Sequence, residues 1–171
     1  METLRNAKRF GKIGSILKLL IPIVGDILIV IAAKNISEVT KDESIFKNVL
    51  YAMIFIIIGG IVRVAVLYVN LFEAITFQNL FEIFTIIFST SIFLPLIVVF
   101  IFYLLGAIFL KRGFDGIAKI FNVGYFRTAA LLYLLGVVLM IVLVGVIVII
   151  VAIIFMIRAF FSLPEQLPPQ P

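Results

Sequence analysis

The chain has 171 residues, of which 64% are apolar and 13% are charged, and its formal net charge is +5. Ordinary soluble domains are roughly 45–50% apolar and about 25% charged, and a single soluble core of this size could not bury such an excess of apolar side chains. Cysteine and histidine are absent, which excludes disulfides and the commonest catalytic bases and zinc ligands, and the cations lie between apolar runs rather than on a nucleic-acid-binding face.

Four apolar stretches are each long enough to cross a bilayer as a helix. A hydrocarbon core of about 30 Å needs about 20 apolar residues at a helical rise of about 1.5 Å. The stretches cover residues 14–33, 49–69, 86–110 and 129–157. Only helices satisfy the backbone here, because four strands are too few for a closed barrel. We therefore predict an all-α integral membrane bundle of about four transmembrane helices.

The first stretch follows a basic leader and carries two internal charges. The leader contains four cations, Arg5, Lys8, Arg9 and Lys12. Such a leader, an apolar run and the segment Ile31-Ala32-Ala33, which loosely resembles a cleavage site, are features of a cleaved signal peptide. Lys18 and Asp26 inside the run argue against this interpretation. A bend at Pro22 and Gly25 is an alternative, because it would make the stretch a shallow hairpin and the number of spans odd.

The segment 70–82, between the second and third stretches, is amphipathic. Its polar residues Glu73, Thr76, Asn79 and Glu82 recur every three residues among apolar ones. This period is close to that of a helix. The pattern predicts a short interfacial helix or an extension of the third span.

The fourth stretch is the longest, at about 43 Å if it is one straight helix. Because this exceeds the bilayer core, we expect the helix to tilt or to extend into the interface. The residues that follow, 160–171, are rich in proline, which lacks the amide donor that a helix needs. We predict a single transmembrane domain over 1–159 and an extended tail over 160–171.

The pattern of the stretches favours an internal duplication. Residues 45–48 and 125–128 both place an aromatic and then a basic side chain before a long apolar run. Two related hairpins, the first and second spans and the third and fourth spans, would explain this pattern. The simpler alternative is that any helix entering a bilayer favours aromatic and basic residues at its mouth.

The orientation is not determined by charge if there are four spans. The positive-inside rule compares the cations on the two sides of the membrane. Four spans would put seven cations on each side, when Lys18 and Arg63 are counted with the N-terminus. A hairpin in the first stretch would remove this tie.

Three charged residues inside the apolar stretches, Lys18, Asp26 and Arg63, are the candidates for a functional role. Charges within spans are rare and are often functional. An ion or proton path could use Asp26 as its titrating group with Arg63 as its partner. Straight helices would place these two residues at depths of about 12 and 22 Å, so Lys18 and Arg63 are better placed to extend towards the opposite interface.

Small residues in the second and fourth stretches indicate close helix packing. Gly145, Ala152 and Ala159 are spaced by seven residues, and so are Ala52 and Gly59. Small residues on one helix face let neighbouring backbones approach closely. We predict that Gly59, Gly145 and Ala152 lie at helix contacts.

Four segments, 21–28, 44–50, 126–133 and 159–165, resemble a mainly archaeal membrane family known as domain of unknown function nine-nine-six. The resemblance extends over nearly the whole chain. It implies a multi-spanning protein of the prokaryotic cytoplasmic membrane. It implies no activity, cofactor, ligand or catalytic residue.

The sequence contains no catalytic constellation. It lacks a histidine partner for a serine nucleophile, a phosphate-binding glycine loop and a close carboxylate pair in a plausible pocket. We expect a non-enzymatic structural or accessory protein without a cofactor, whose partners are the lipid bilayer and either a second copy or a membrane complex. The alternative is a small transporter or channel that uses Asp26.

Overall fold

The computed structural model describes residues 2–76, 90–142 and 144–167. All regular structure in these ranges is helical, so the all-α prediction is confirmed. There are six α-helices in these ranges: α1 (Glu2–Leu20), α2 (Pro22–Thr40), α3 (Glu43–Thr76), α4 (Thr90–Phe121), α5 (Gly124–Val138) and α6 (Gly145–Phe161). A 3₁₀ helix over Leu139–Val142 follows α5.

Two helices are long and apolar enough to cross a membrane. They contain the segments Glu43–Val69 in α3 and Leu94–Phe121 in α4, which have 27 and 28 residues and mean hydropathies of 2.5 and 2.4. These segments cover the second predicted stretch and residues 94–110 of the third. The helices pack antiparallel, with Gly106 against Ile56 and Gly113 against Val49.

The first predicted span is wrong as a single helix, because the chain turns back at Ile21. α1 ends at Leu20, α2 begins at Pro22, and the two helices pack against each other. Ile21 has non-helical backbone angles (φ −133°, ψ 82°). Proline starts a helix readily but cannot continue one, because it has no amide hydrogen. The stretch 14–33 therefore contributes to a helical hairpin, the alternative that the bend at Pro22 and Gly25 suggested.

The fourth predicted span is also wrong as a single helix. After Val138 the chain passes through the 3₁₀ helix, and α6 runs back along α5 from Gly145. The backbones are so close that a Cβ atom on Gly145 would overlap the carbonyl oxygen of Gly136. The stretch accommodates its excess length by folding back rather than by tilting.

The three antiparallel pairs, α1–α2, α3–α4 and α5–α6, share one end of the molecule, which we call the base. Lys8 on α1 lies 3.5 Å from the carboxylate of Glu165, which follows α6. The turns between α2 and α3 and between α4 and α5 are at the same end, and each contains a residue with positive φ, Lys41 (57°) and Asn122 (53°). The start of α1, the described residues after α6 and both short turns therefore lie at the base.

The best-buried part of the core lies near the base. Phe114, Phe126 and Phe160 are fully buried there and form an aromatic cluster with ring centroids 5.0–6.2 Å apart in edge-to-face arrangements. Phe160 also packs directly on the backbone of Gly11. The cluster thus joins α1, α4, α5 and α6 at one level of the bundle, which we use as level zero.

The two outer hairpins are short. At about 1.5 Å per residue, Leu20 at the end of α1 lies about 14 Å above Gly11. By the same measure Gly145 at the start of α6 lies about 22 Å above Phe160. The hairpins α1–α2 and α5–α6 therefore rise only this far from level zero.

The central pair α3–α4 is much longer. From Phe114, α4 extends about 36 Å back to Thr90. From Val49, which lies beside Gly113, α3 extends about 40 Å to Thr76. The central pair therefore projects beyond the tips of both hairpins.

Two predicted segments lie at the limits of the described residues. α3 includes the first part of the amphipathic segment 70–82, and the rest, 77–82, lies outside the described residues. In the tail, residues 162–167 follow α6 without forming a helix, and Leu163 is fully buried at the base. The last residues, 168–171, also lie outside the described ranges.

The internal duplication stays a prediction. The helices on either side of the two base turns differ in order, since α2 and α3 have 19 and 34 residues whereas α4 and α5 have 32 and 15. A tandem repeat would place long and short helices in the same order. The two units share the base turn but not this order.

Candidate functional site

The candidate site is an ion pair between Lys18 and Asp26 inside the first hairpin. The ammonium group of Lys18 on α1 donates a hydrogen bond to Oδ1 of Asp26 on α2. Each side chain is only 5% exposed. A charge removed from water to this extent requires a partner, and here each residue provides it for the other.

Two glycines permit the close approach that brings this pair together. A Cβ atom on Gly14 would lie 2.8 Å from Cβ of Leu28, and one on Gly25 would lie 2.6 Å from the carbonyl oxygen of Gly14 and would overlap the backbone of Lys18. The glycines therefore let α1 and α2 touch along their backbones. Lys18 lies four residues before Pro22 and Asp26 four residues after it, so the turn places the two side chains opposite each other.

Tyr133 on α5 completes the surroundings of the pair. Its ring centroid lies 5.4 Å from Nζ of Lys18, close enough for a cation–π contact, and the residue is 5% exposed. Lys18 lies seven residues above Gly11 and Tyr133 seven residues above Phe126. α1 packs against α6, the partner of α5 in the second outer hairpin, so the site lies between the two outer hairpins.

The predicted partnership between Asp26 and Arg63 is wrong. Asp26 pairs with Lys18, and Arg63 is exposed on α3, about 21 Å above level zero. No described carboxylate forms an ion pair with Arg63 within the chain. The predicted depths of the two residues assume that 14–33 is one straight helix, whereas the hairpin returns Asp26 to the level of Lys18. Lys18 therefore does not extend towards an interface.

The three small residues predicted at helix contacts have different neighbours. Gly145 lies against Gly136, and Ala152 on α6 is fully buried. A Cβ atom on Gly59 of α3 would lie 3.2 Å from Cβ of Phe102 on α4. The contact of Gly145 is with α5, which belongs to the same apolar stretch, so the close packing is internal to one predicted span.

The arrangement favours neutralisation of charge over catalysis. Lys18 and Asp26 satisfy each other, and Tyr133 is the only aromatic ring recorded against the pair among the described residues. No group of three or more His, Cys, Asp or Glu side chains in the described ranges could hold a metal ion. Sequence reasoning missed Tyr133 and the pairing, although opposite charges at equal distances from Pro22 were a usable sign of a hairpin.

Comparison with known proteins identifies the family. A family model described as "Protein of unknown function (DUF996)" matches residues 21–154. The chain belongs to this family. An uncharacterised protein of Methanocaldococcus jannaschii is 36% identical to this chain over 171 residues. The alignment covers 96% of this chain and 95% of the relative. The resemblance found in the sequence is thus confirmed.

The residues that the DUF996 model matches begin and end at identifiable points of the fold. The match begins at Ile21, the turn of the first hairpin, and ends within α6. The match therefore includes Asp26 and Tyr133, whereas Lys18 precedes it. No solved structure matches the DUF996 chain.

Proposed function

We propose that this DUF996 protein is a non-catalytic structural protein of the prokaryotic cytoplasmic membrane, in which α3 and α4 cross the bilayer and the two outer hairpins enter it from the base. The observation that carries the proposal is the difference in height between the helices. The central pair is long enough to cross a bilayer core of about 30 Å, and the outer hairpins are not.

The positions of the charges support a membrane boundary just above level zero. Near the base, Lys111 lies three residues above Phe114 and Arg158 lies two residues above Phe160, which places them at most about 5 Å above that level. A boundary at this height leaves about 30 Å of α4 and about 35 Å of α3 above it. These lengths match the hydrocarbon core.

The cations also support an orientation. Of the 14 lysines and arginines, all except Lys18 and Arg63 lie in segments at the base, which leaves twelve there. The two hairpins return to the base, so the predicted tie between the two sides does not arise. By the positive-inside rule, the base faces the cytoplasm.

Cysteine labelling in sealed vesicles tests this topology. The natural chain has no cysteine, so single cysteines can be introduced at exposed base positions, Lys41, Asn122 and Ser162, and at Arg5. We expect a membrane-impermeant thiol reagent to reach all four from the same side. A cysteine at Asn79, between α3 and α4 in the sequence, is the control for the opposite side.

A four-span topology gives a different labelling pattern. It would place Lys41 and Asn122 on one side and Arg5 and Ser162 on the other. That result would refute the proposed topology. Labelling of all four base positions from one side, with Asn79 on the other, would support it.

Transport through a path at Asp26 is the second candidate, and the buried charge is the observation that favours it. A path would require water to reach a carboxylate that is now 3% exposed and paired. Proteoliposomes with Asp26→Asn test this candidate by ion and proton flux. A flux that the wild type supports and the variant abolishes would favour transport over the structural function.

A further inference from the structure

We infer that the two outer hairpins act as a wedge in the base-side leaflet, so that the protein prefers and promotes membranes in which that leaflet is convex. This inference rests on the proposed topology. The occupant of the exposed hairpin surfaces is then the acyl chains of one leaflet. The function would be the shaping of a membrane.

The first argument is the difference in cross-section between the two leaflets. The hairpin tips lie about 14 and 22 Å above level zero, or about 9 and 17 Å beyond the boundary, and the middle of a core of about 30 Å lies about 15 Å beyond it. All six helices therefore displace lipid in the base-side leaflet. Only α3 and α4 do so through the far leaflet.

The size of the difference is that of four helices. A helix with its side chains is about 10 Å wide, and so occupies about 80 Å² in the membrane plane. Four additional helices displace about 300 Å² of lipid from one leaflet. An inclusion that is wider in one leaflet favours curvature that expands this leaflet.

The second argument is that the hairpin surfaces match acyl chains. Leu20 at the first tip is 75% exposed, and Val142 and Ile147 at the second are 60% and 65% exposed. Exposed apolar patches of this kind mark sites of contact with a protein or a membrane. On the two hairpins, the cations that could meet lipid phosphates lie near level zero, below the tips, and the charged residue Lys18 is buried in its pair with Asp26. The exposed Arg63, about 21 Å above level zero, belongs to α3 and not to a hairpin. The cations of the hairpins therefore lie at the height of the lipid headgroups, and the exposed apolar side chains lie at the height of the acyl chains.

The third argument is that the hairpins are stiff enough to maintain their shape. Glycine contacts join the backbones within each pair, at Gly14 and Gly25 in the first and at Gly136 and Gly145 in the second. The two hairpins also contact each other, through Lys18 with Tyr133 and through Gly11 with Phe160. The lateral pressure of the lipids would therefore act on one packed unit rather than on four separate helices.

The test compares the two orientations of the same protein on membrane tubes. Ser162→Cys is exposed at the base and is the only cysteine, since the natural chain has none. In giant vesicles, an impermeant dye added outside labels molecules whose base faces outwards, and the same dye enclosed during formation labels those facing inwards. A tube pulled outwards has a convex outer leaflet. We measure the protein-to-lipid fluorescence ratio on the tube relative to the flat membrane.

We expect outward-facing molecules to be enriched on the tube, with a relative ratio above one that rises as the tube narrows. Inward-facing molecules should be depleted, with a ratio below one. The two populations have the same fold, so the comparison does not depend on a damaging mutation. Repeating it with Asn122→Cys controls for an effect of the dye position.

The outcomes separate this inference from the proposed topology. Equal ratios for the two orientations, with all base cysteines labelled from one side, would overturn the wedge and leave the topology intact. Enrichment of the inward-facing population would also overturn it. Labelling of Lys41 and Ser162 from opposite sides would instead refute the topology on which the wedge depends.

Discussion

At the residue scale, the most informative feature is the pair formed by Lys18 and Asp26. Burying two charges costs free energy that their attraction only partly offsets, so such a pair is weak support for stability in itself. Its effect is on structure, because neither residue can be buried without the other. The pair therefore favours the one arrangement of α1 and α2 that places them opposite each other.

Substitution of one partner is expected to destabilise the fold more than substitution of both. Lys18→Met or Asp26→Leu alone leaves an unpaired buried charge, which costs about 3–5 kcal/mol. The double variant removes both charges and should have a free energy of unfolding much closer to that of the wild type. A double-mutant cycle from reversible unfolding in detergent micelles measures the coupling.

Additive losses in this cycle would contradict the pairing. They would indicate that each side chain has a separate partner. The matched exposed pair Lys47 and Glu43, whose side chains are 59% and 80% exposed, is the control. Its coupling should be much smaller than that of Lys18 and Asp26, because water screens it.

At the scale of the helices, the hairpins depend on glycines at their closest contacts. Gly145→Ala would place a methyl group on the backbone of Gly136, so α5 and α6 would have to separate. We expect a loss of about 1–3 kcal/mol, the usual range for overpacking. The thermal unfolding midpoint, followed by circular dichroism, measures this loss.

Gly124→Ala is the matched control within the same hairpin. Gly124 is the first residue of α5, and a Cβ atom there would meet nothing within 4 Å. Alanine also favours a helix by up to about 1 kcal/mol relative to glycine. A midpoint that falls equally in both variants would show that the contact with Gly136 does not limit stability.

The all-α class and the central pair α3–α4 could be predicted from the sequence. The two outer hairpins could not be predicted as reliably. A run of about 20 apolar residues fits a straight helix and two packed half-helices equally well, because both are uniformly apolar. Pro22 gave a visible break in the first case. In the second, residues 139–144 are Leu-Met-Ile-Val-Leu-Val, which contain no residue that interrupts a helix. The turn brings Gly136 and Gly145, which are separated along the chain, into close contact.

The same limit applied to the candidate site. Lys18, Asp26 and Arg63 were identified because charges are rare in apolar stretches. Their partners depend on which helices fold back, and the composition of a stretch does not carry this information. The hydrophobic pattern therefore located the charged residues but not the contact between Lys18 and Asp26, nor the nearby ring of Tyr133.

At the scale of the whole molecule, the chain closes on itself at the base. Leu4 near the start of α1 and Leu163 after α6 are both buried there, at 1% and 0% exposure. Leu4 and Leu163 thus form part of the core around the aromatic cluster. The tail is consequently a structural element up to this point.

Leu163→Ala is expected to destabilise the protein by about 2–5 kcal/mol, because a buried leucine is replaced by a cavity. Leu167→Ala is the control, since Leu167 is 40% exposed and surface changes are usually within about 0.5 kcal/mol. Chemical unfolding of both variants in the same detergent measures the difference. Equal stability of the two variants would show that the tail does not pack on the base in solution.

In the proposed topology, the ion pair also constrains how the chain enters the membrane during synthesis. Lys18 emerges from the ribosome eight residues before Asp26, and a lone lysine deep in the bilayer costs about 2.5–3.5 kcal/mol on insertion scales. Threading α1 alone would incur this cost, whereas α1 and α2 together carry no net charge at this position. We therefore expect the first hairpin to stay at the cytoplasmic surface until α1 and α2 have paired. It then enters the lipid as a preassembled unit.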